Sequence, residues 1–220
     1  MENGMRIGII GSGMVGQQLG FGLLKSGHEV KIGTRNPEKL NEWRQKAGEK
    51  ASVGSFEDAA KFGEMIFIAT KWQDGATENA IKMADKKNFS GKVVVDVTNP
   101  LLFEAEGKAP KLALGYPHSA GAMIQGWIPQ ARMVKAFNII NAYTMANPRL
   151  KEGTADLVIA GNDPAAKQIV KDIAAKWGWG EILDLGGIEE SYMLEALTMI
   201  WISYAFQHNK WNHAFRLLKE

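Results

Sequence analysis

Short apolar runs alternate with amphipathic segments along most of the chain. Met5–Ile10 and Met65–Ala69 read as buried strands, whereas Met14–Ser26 has apolar residues at helical spacing. Strands that alternate with helices predict a parallel, doubly wound sheet. The pattern therefore predicts an α/β protein with a sheet of about eight strands. The other predicted strands are Glu29–Gly33, Ala51–Val53, Val93–Val97, Met133–Phe137, Leu157–Ala160 and Glu181–Leu185.

The segment Tyr192–Phe206 is apolar on every side of a predicted helix. A helix that is apolar all round is buried. At about fifteen residues, with Glu195 in its middle, it is shorter than the roughly twenty residues that span a bilayer. We therefore predict a buried helix and no membrane partner.

Three things could cover this helix: a second copy of the chain in a homodimer, a planar cofactor, or the core of its own subunit. Trp201, Trp211 and Met199 would suit a planar ring, although such residues also occur in cores. We divide the chain into a main domain, residues 1–185, and a C-terminal helical extension, residues 186–220. The extension would complete a ligand cleft or a dimer interface.

The composition is that of a soluble globular protein, with 45% hydrophobic and 23% charged residues. Lys and Arg total 26 against 24 for Asp and Glu, and a net charge of +2 is too small for a nucleic-acid-binding surface. Because the chain has no cysteine, thiolate metal sites, iron–sulfur clusters and thiol nucleophiles are excluded, and we predict no metal site. Redox chemistry would need a bound cofactor. The first residues do not form a secretion signal, so we expect a cytoplasmic protein.

A complete G-x-G-x-x-G motif, Gly11–Gly16, lies between the first strand and the first helix. This context is typical of a dinucleotide-binding loop. Gly11 allows the tight turn, Gly13 lets the backbone approach a pyrophosphate, and Gly16 lets the helix pack on the strand. The helix N-terminus offers free N–H groups and the positive end of its dipole. We therefore predict a Rossmann-type domain.

The residues after the second strand favour NADP(H) over NAD(H). Enzymes that bind NAD usually have an Asp or Glu about twenty residues after the glycines, where its carboxylate binds the ribose 2′-OH. The segment Lys31–Pro37 contains no acid. Thr34, Arg35, Asn36 and Lys39 would instead neutralise and hydrogen-bond a 2′-phosphate.

Four motifs follow one another along the chain: Ile9–Gly16, Gly33–Pro37, Val95–Pro100 and Val134–Ile140. In this order and spacing they resemble the NADPH:coenzyme F420 oxidoreductase family, and the similarity continues through Ile159–Lys167 and the last helix. The chain is also similar to the cytosolic oxidoreductase domain of the six-transmembrane ferric reductases. The resemblance implies an NADPH-dependent enzyme that transfers a hydride between NADP(H) and a small-molecule acceptor, a flavin or a deazaflavin such as coenzyme F420.

The resemblance also implies which residues hold the ligands. A flavin or deazaflavin would lie between the sixth strand end, the Pro117–Gly121 loop and the C-terminal helix. The implied contacts are Ser12, Gly13, Met14 and Val15 at the pyrophosphate; Thr34, Arg35, Asn36 and Lys39 at the 2′-phosphate; Ala69, Thr70, Lys71, Trp72, Thr98, Asn99 and Pro100 at the nicotinamide ribose and ring; and Ala136, Phe137 and Asn138 on the other face of the nicotinamide.

Hydride transfer between two cofactor rings is mainly a matter of positioning, which we assign to Phe137 and Asn138. His118 is a candidate for proton transfer, or alternatively a surface loop histidine. Lys71 would attract a phosphate or an acceptor carboxylate, or is simply solvated, and Lys135 is predicted to point out of its strand. Since Lys71 replaces a common proline and Phe137-Asn138 replaces a Leu-His pair, the choice between flavin and deazaflavin stays open.

Two other functions remain open at this point. One is the reduction of a small imine or hydroxy acid, as in related enzymes with similar nucleotide domains, although those enzymes usually continue into a longer helical domain. The other is a sensor that binds NADP(H) without turnover and regulates a partner. Turnover with an added acceptor distinguishes an enzyme from a sensor.

Overall fold

Eight of the strands form one central sheet in the computed structural model, which describes residues 4–220. The strands are β1 (Arg6–Ile10), β2 (Glu29–Gly33), β3 (Ala51–Gly54), β4 (Met65–Ile68), β5 (Val93–Asp96), β6 (Leu101–Leu102), β7 (Lys111–Leu112), β8 (Arg132–Lys135), β9 (Arg149–Leu150), β10 (Gly153–Thr154), β11 (Leu157–Gly161) and β12 (Ile182–Asp184). The helices are α1 (Met14–Lys25), α2 (Asn41–Ala47), α3 (Phe56–Phe62), α4 (Ala76–Met83), α5 (Ala120–Trp127), α6 (Pro164–Trp177) and α7 (Ser191–His208).

The order of the strands across the sheet is β12-β11-β8-β5-β4-β1-β2-β3. The chain winds outward from β1 in one direction through β2 and β3, and in the other through β4, β5 and β8. Ligands of such sheets bind outside the carboxyl ends of the strands where the winding changes direction, here between β1 and β4. The predicted α/β fold with an eight-stranded, doubly wound sheet and a C-terminal helix is confirmed.

One edge of the sheet differs from the wholly parallel arrangement that the pattern predicts. β11 pairs antiparallel with β8, with Ala160 opposite Lys135, and β12 then runs parallel to β11. A parallel neighbour requires a crossover connection, usually a helix. Residues 136–156 contain only the small β9–β10 hairpin and no helix. The chain therefore turns back beside β8, and the prediction of a fully parallel sheet is wrong at this edge.

The central strands are apolar on both faces because helices cover both sides of the sheet. Successive residues alternate between two cores: Ile9 and Phe67 belong to one, Ile10 and Ile68 to the other. The first core lies under α1 and α6, and the second under α3, α4 and α5. This alternation explains why the strands appear in the sequence as unbroken apolar runs.

Helix α7 is only half-buried, so of the three possible covers the core of its own subunit accounts for one face of the helix and not for the rest. Leu194 and Ala205 face the protein, whereas Met193 and Tyr204 are exposed and Ile200 keeps 60% of its surface accessible. No helix within residues 4–220 has the length and hydropathy of a bilayer span.

After α7 the chain runs back across the molecule without regular structure. The indole N–H of Trp201 donates to the carbonyl of His213 at 2.8 Å, and the two rings stack with centroids 4.4 Å apart. The Asp156 carboxylate accepts from the N–H of Leu217 at 2.7 Å, and the Asp156 N–H donates to the carbonyl of Phe215. The last residues of the chain thus bond to and stack on the Trp201 side chain, which the sequence had suggested as a contact for a planar ring.

Candidate nucleotide-binding cleft

A cleft of about 880 Å³ opens at the carboxyl ends of β1, β2 and β4. The sequence predicted the glycine loop, the segment after β2 and the residues Ala69, Thr70 and Lys71 after β4. The opposite wall comes from the loop after β4, from α4 and from the residue after β6. The residues that line the cleft are Gly11, Ser12, Gly13, Thr34, Arg35, Asn36, Lys39, Phe56, Ala69, Thr70, Lys71, Gln73, Asp74, Ala76, Asn79, Ala80, Met83 and Phe103.

The three glycines of the loop have the separate geometries that their spacing predicts. Gly11 has a φ of +128°, which favours glycine, and a Cβ there would overlap the carbonyl oxygen of Ala69. A Cβ at Gly16 would overlap the carbonyl oxygen of Gly11. A Cβ at Gly13 would meet no atom within 4 Å, so this position borders open space. Gly11 and Gly16 are needed for packing, whereas Gly13 leaves room in the cleft.

Helix α1 begins at this open space without a side-chain cap. Its N-cap is Gly13, which supplies no side-chain hydrogen bond, and its first turn contains no acid. The helices α3 and α6, by contrast, are capped by Ser55 and Asp163. The N–H groups of the first turn of α1 and the positive end of its dipole are therefore free for an anion. This fits a pyrophosphate, as the predicted dinucleotide loop requires.

The end of β2 presents a hydroxyl, an amide and two cations to the cleft. Thr34 is buried, and its hydroxyl accepts from the Ser12 hydroxyl at 2.9 Å and from the backbone N–H of Asn36 at 3.2 Å. The side chains of Arg35, Asn36 and Lys39 are exposed at the rim. Asp74 is the one acid among the described lining residues, and it belongs to the loop after β4. The rim at β2 is thus suited to a phosphate.

The residues after β4 divide between two surfaces. Ala69, Thr70 and Lys71 line the cleft, and the hydroxyl of Thr70 donates to that of Thr77 at 2.9 Å. The Trp72 ring instead stacks on Trp127, with centroids 5.7 Å apart and planes 13° apart. Trp72 therefore borders α5, outside the cleft.

The part of the opposite wall formed by Gln73, Asn79, Met83 and Phe103 was not predicted from the sequence. The amide oxygen of Gln73 accepts from the N–H of Phe103 at 3.1 Å, which joins the loop after β4 to the end of β6. Asn79 and Met83 lie one helical turn apart on α4 and are exposed toward the cleft. The predicted helix after β4 was the available signal, because its first turns start at the ligand-binding edge of the sheet.

The segment after β5 is buried and does not line this cleft. Thr98 is 3% exposed, and its hydroxyl oxygen has no hydrogen-bond partner within residues 4–220. Since β5 is the neighbour of β4, with Val97 N–H donating to the carbonyl of Ile68 at 3.1 Å, Thr98 lies one strand beyond Ala69. Asn99 and Pro100 continue from there.

Phe137 and Asn138 are buried as well. Phe137 has a φ of +61°, unusual for a residue with a side chain, and its ring packs 5.1 Å from Trp177 and 5.7 Å from Trp179. The Asn138 amide donates toward the carbonyl of Leu194 at 3.1 Å. Both side chains are therefore engaged in the interior, and the neighbouring Ala136 is fully buried.

A network of amide and hydroxyl groups links Asn138 to α7. The Asn99 amide donates to the backbone carbonyl of Asn138 at 2.9 Å, and the Asn138 amide donates to the Asn99 side-chain oxygen at 2.9 Å. The Thr198 hydroxyl lies 3.0 Å from both side chains. The end of β5, the end of β8 and α7 are thus joined by polar contacts.

Next to this network lies a buried cluster of three charged side chains that the sequence pattern does not indicate. The Lys135 ammonium is 2.8 Å from Asp96 and 3.0 Å from Glu195, and all three side chains are at most 1% exposed. Burial alone would lower the pKa of Lys135, but the charges of Asp96 and Glu195 raise it above its ordinary value, so the lysine is charged. The strand position of Lys135 suggested that its side chain points out of the sheet to solvent. The structure buries it instead.

His118 lies in an exposed loop before α5, where its N–H donates to the carbonyl of Gly115 at 2.9 Å. It is not among the lining residues of the cleft. Lys71 is exposed at the cleft wall. Neither residue makes the buried contacts that hold a proton-transfer group in one orientation.

Comparison with known proteins agrees with this geometry. The model of the family described as NADP oxidoreductase coenzyme F420-dependent matches residues 6–100. A crystal structure from Arthrobacter sp. FB24, described as an F420-dependent NADP reductase, is 32% identical with a TM-score of 0.91, covering 98% of this chain and 100% of that one. This chain belongs to that family. It is an NADP-dependent oxidoreductase.

Two curated proteins support the family assignment. The F420-dependent NADP reductase of Methanocaldococcus jannaschii is 29% identical over 97% of this chain and 98% of its own length. The metalloreductase STEAP3 of Rattus norvegicus is 30% identical over 88% of this chain, but the match spans only 36% of that protein. Both similarities that the motifs indicated are confirmed.

Proposed function

We propose that the cleft binds NADP(H) in an extended form along the carboxyl ends of the strands. The pyrophosphate lies at Ser12, Gly13 and the first turn of α1, together with the backbone of Met14 and Val15. The uncapped start of α1 beside the open space at Gly13 carries this proposal.

The 2′-phosphate binds at Thr34, Arg35, Asn36 and Lys39. The Arg35 guanidinium and the Lys39 ammonium stand at the rim, where they neutralise a dianion. The absence of an acid between Lys31 and Pro37 supports NADP(H) over NAD(H), because no carboxylate there accepts from a ribose 2′-OH.

The nicotinamide half extends past Ala69 and Thr70 toward the end of β5. This direction follows from the position of β5 beside β4. Thr98 supplies a hydroxyl oxygen at that end that has no hydrogen-bond partner within residues 4–220. The buried Phe137 and Asn138 act through their backbone and through the contacts of Asn138 with Asn99, not by facing the ring.

We propose a flavin or a deazaflavin of the coenzyme F420 type as the acceptor. When bound, the dihydronicotinamide supplies the hydride. The names of the relatives support a deazaflavin. The titratable groups among the described lining residues, Arg35, Lys39, Lys71 and Asp74, are all exposed, which favours a reaction that depends on positioning over one with a buried acid–base residue.

Residues 186–220 form the wall of the acceptor site in this proposal. Helix α7 lies against α5 and joins the ends of β5 and β8 through Asn99, Asn138 and Thr198. The exposed apolar residues Met193 and Ile200 on its outer face support contact with a second copy of the chain. The molar mass in solution, measured by light scattering across a concentration series, tests the homodimer: a monomer at every concentration would contradict it.

NADPH oxidation by the purified protein tests the function. FMN, FAD and coenzyme F420 are offered singly, with NADH in place of NADPH as the control. We expect turnover with NADPH and one ring acceptor, and much slower turnover with NADH. Tight NADPH binding with no turnover on any of the three would contradict the acceptor class and leave a small imine, a hydroxy acid or a sensor role.

A further inference from the structure

Stability alone does not explain the buried cluster of Asp96, Lys135 and Glu195. Removing a charge from water costs several kcal/mol per ion, and apolar side chains of similar volume commonly stabilise a fold equally well or better. All three side chains are inaccessible to solvent or nearly so. What distinguishes this cluster is the set of backbone groups that it holds.

On one side the cluster fixes the peptide groups of Thr98. The Lys135 ammonium donates to the Thr98 carbonyl at 2.5 Å. The Asp96 carboxylate accepts from the Thr98 N–H at 2.8 Å and from Lys135 at 2.8 Å. Both backbone polar groups of Thr98 are therefore bound to charged partners, and such hydrogen bonds are among the strongest in proteins.

On the other side the cluster fixes α7 to the start of α5. The two oxygens of Glu195 accept from the N–H groups of Ala120 and Gly121 at 3.0 and 3.1 Å. The positive end of the α5 dipole favours this carboxylate. Gly121 packs so closely on Ser191 that a Cβ there would overlap the Ser191 hydroxyl. Strands β5 and β8 and helices α5 and α7 thus meet at one charged point.

We propose that Asp96, Lys135 and Glu195 are positioning residues for hydride transfer. They hold Thr98, one strand beyond the cleft and beside the proposed nicotinamide position, and α7 at the acceptor wall in one fixed relation. The inference rests on the proposed function, because it takes Thr98 to lie beside the nicotinamide and α7 beside the acceptor. Hydride transfer needs this control, since a misplacement of about 1 Å can cost about a hundredfold in rate.

A pair of ligands tests the inference without any acceptor. The nucleotide 2′,5′-ADP occupies only the adenosine half of the cleft, whereas NADP⁺ occupies both halves. We expect Glu195→Gln to weaken NADP⁺ binding about five- to thirtyfold and to leave 2′,5′-ADP binding within about twofold. The three side chains bond to Thr98, to the start of α5 and to one another. The adenosine half lies at the glycine loop and the end of β2, so we expect its binding to be unaffected.

The matched control is Arg132→Gln. Arg132 lies on the same strand as Lys135 and forms a bidentate ion pair with Asp163 at 2.8 and 3.0 Å, away from the cluster. We expect both ligands to bind this variant as they bind the wild type. Asp96→Asn is the second test variant and is used if Glu195→Gln fails to fold. Its amide oxygen can still accept from the Thr98 N–H.

Single-turnover kinetics give the second readout. At saturating NADPH, with the acceptor that the wild type uses, the hydride-transfer rate of Glu195→Gln should fall at least tenfold while circular dichroism stays native. Equal weakening of both ligands, or unchanged NADP⁺ binding and unchanged hydride transfer in a folded variant, would overturn the inference. If the wild type reduces none of the acceptors, the proposed acceptor fails, but the ligand pair still tests the cluster.

Discussion

Gly13 separates the demands of folding from those of nucleotide binding, and Gly13→Val exploits this. The residue has φ −71° and ψ −178°, which any L-residue adopts, and a Cβ there meets no atom within 4 Å. The added side chain stiffens the unfolded chain but is a poorer N-cap, so we expect the free energy of unfolding to change by less than about 1 kcal/mol.

The effect on the ligand should be much larger. The valine methyl groups enter the space next to the first turn of α1, where the pyrophosphate is proposed to lie. Loss of one hydrogen bond to a charged group costs about 1.5–3 kcal/mol, which is roughly a ten- to hundredfold weakening of NADPH binding. NADPH fluorescence titration measures the affinity, and urea unfolding measures the stability.

Gly16→Ala is the matched control, because its Cβ would overlap the backbone oxygen of Gly11, which cannot move aside without shifting the loop. We expect this variant to lose about 1–3 kcal/mol of stability through overpacking. Gly13→Val should thus lose nucleotide affinity, whereas Gly16→Ala should lose stability. If Gly13→Val binds NADPH as tightly as the wild type does, the pyrophosphate does not lie at this loop and the reasoning fails.

Three further substitutions test other parts of the molecule. Arg35→Ala should weaken NADPH by about 1.5–3 kcal/mol and NADH hardly at all, and equal losses in titrations with the two nucleotides would contradict the 2′-phosphate site. Burial, then the charges of Lys176 and Lys50, lower the pKa of His28 below its ordinary value of 6.5, so the unfolded chain binds the proton first and stability falls as the pH drops below that value. Urea unfolding of His28→Asn should show a weaker acid dependence, and an unchanged pH profile would refute this. Thr198→Val keeps the shape but removes the hydroxyl that bonds both Asn99 and Asn138, while the two amides keep their bonds to each other. We expect a loss of about 0.5–1.5 kcal/mol in urea unfolding, and a neutral result would mean that the network relaxes without the hydroxyl.

The sequence was sufficient to predict the main sheet and the part of the cleft formed by the glycine loop, the end of β2 and the residues directly after β4. Local chemistry determines both: β1 and β4 are apolar on both faces, Gly11 and Gly16 each have a steric reason to lack a Cβ, and Gly13 borders open space. The absence of an acid after β2 is equally local. Features that depend only on residues close together in the chain can therefore be predicted from the sequence.

What the sequence did not predict depends on contacts between distant segments. Lys135 alternates in its strand as an outward residue would, and only the approach of α7 with Glu195, sixty positions later along the chain, makes its burial tolerable. The antiparallel β11 follows from a connection without a helix, whose path the pattern does not determine. Phe137 and Asn138 follow a strand end, as ligand-binding residues do. The Phe137 ring nevertheless packs against three aromatic rings, and the Asn138 amide donates to α7.

The polar attachment of α7 has a consequence for redesign of the enzyme. Apolar contacts alone let a helix slide or rotate, whereas directional contacts, like a buried asparagine in a coiled coil, fix its register. Glu195 and Thr198 are three residues apart and thus on one face, so together they set the rotation and height of the helix. Outward positions such as Met193 and Ile200 can therefore be randomised in a library while the helix keeps its orientation, so each change reports on the outer face of α7 and on the proposed contact with a second copy of the chain.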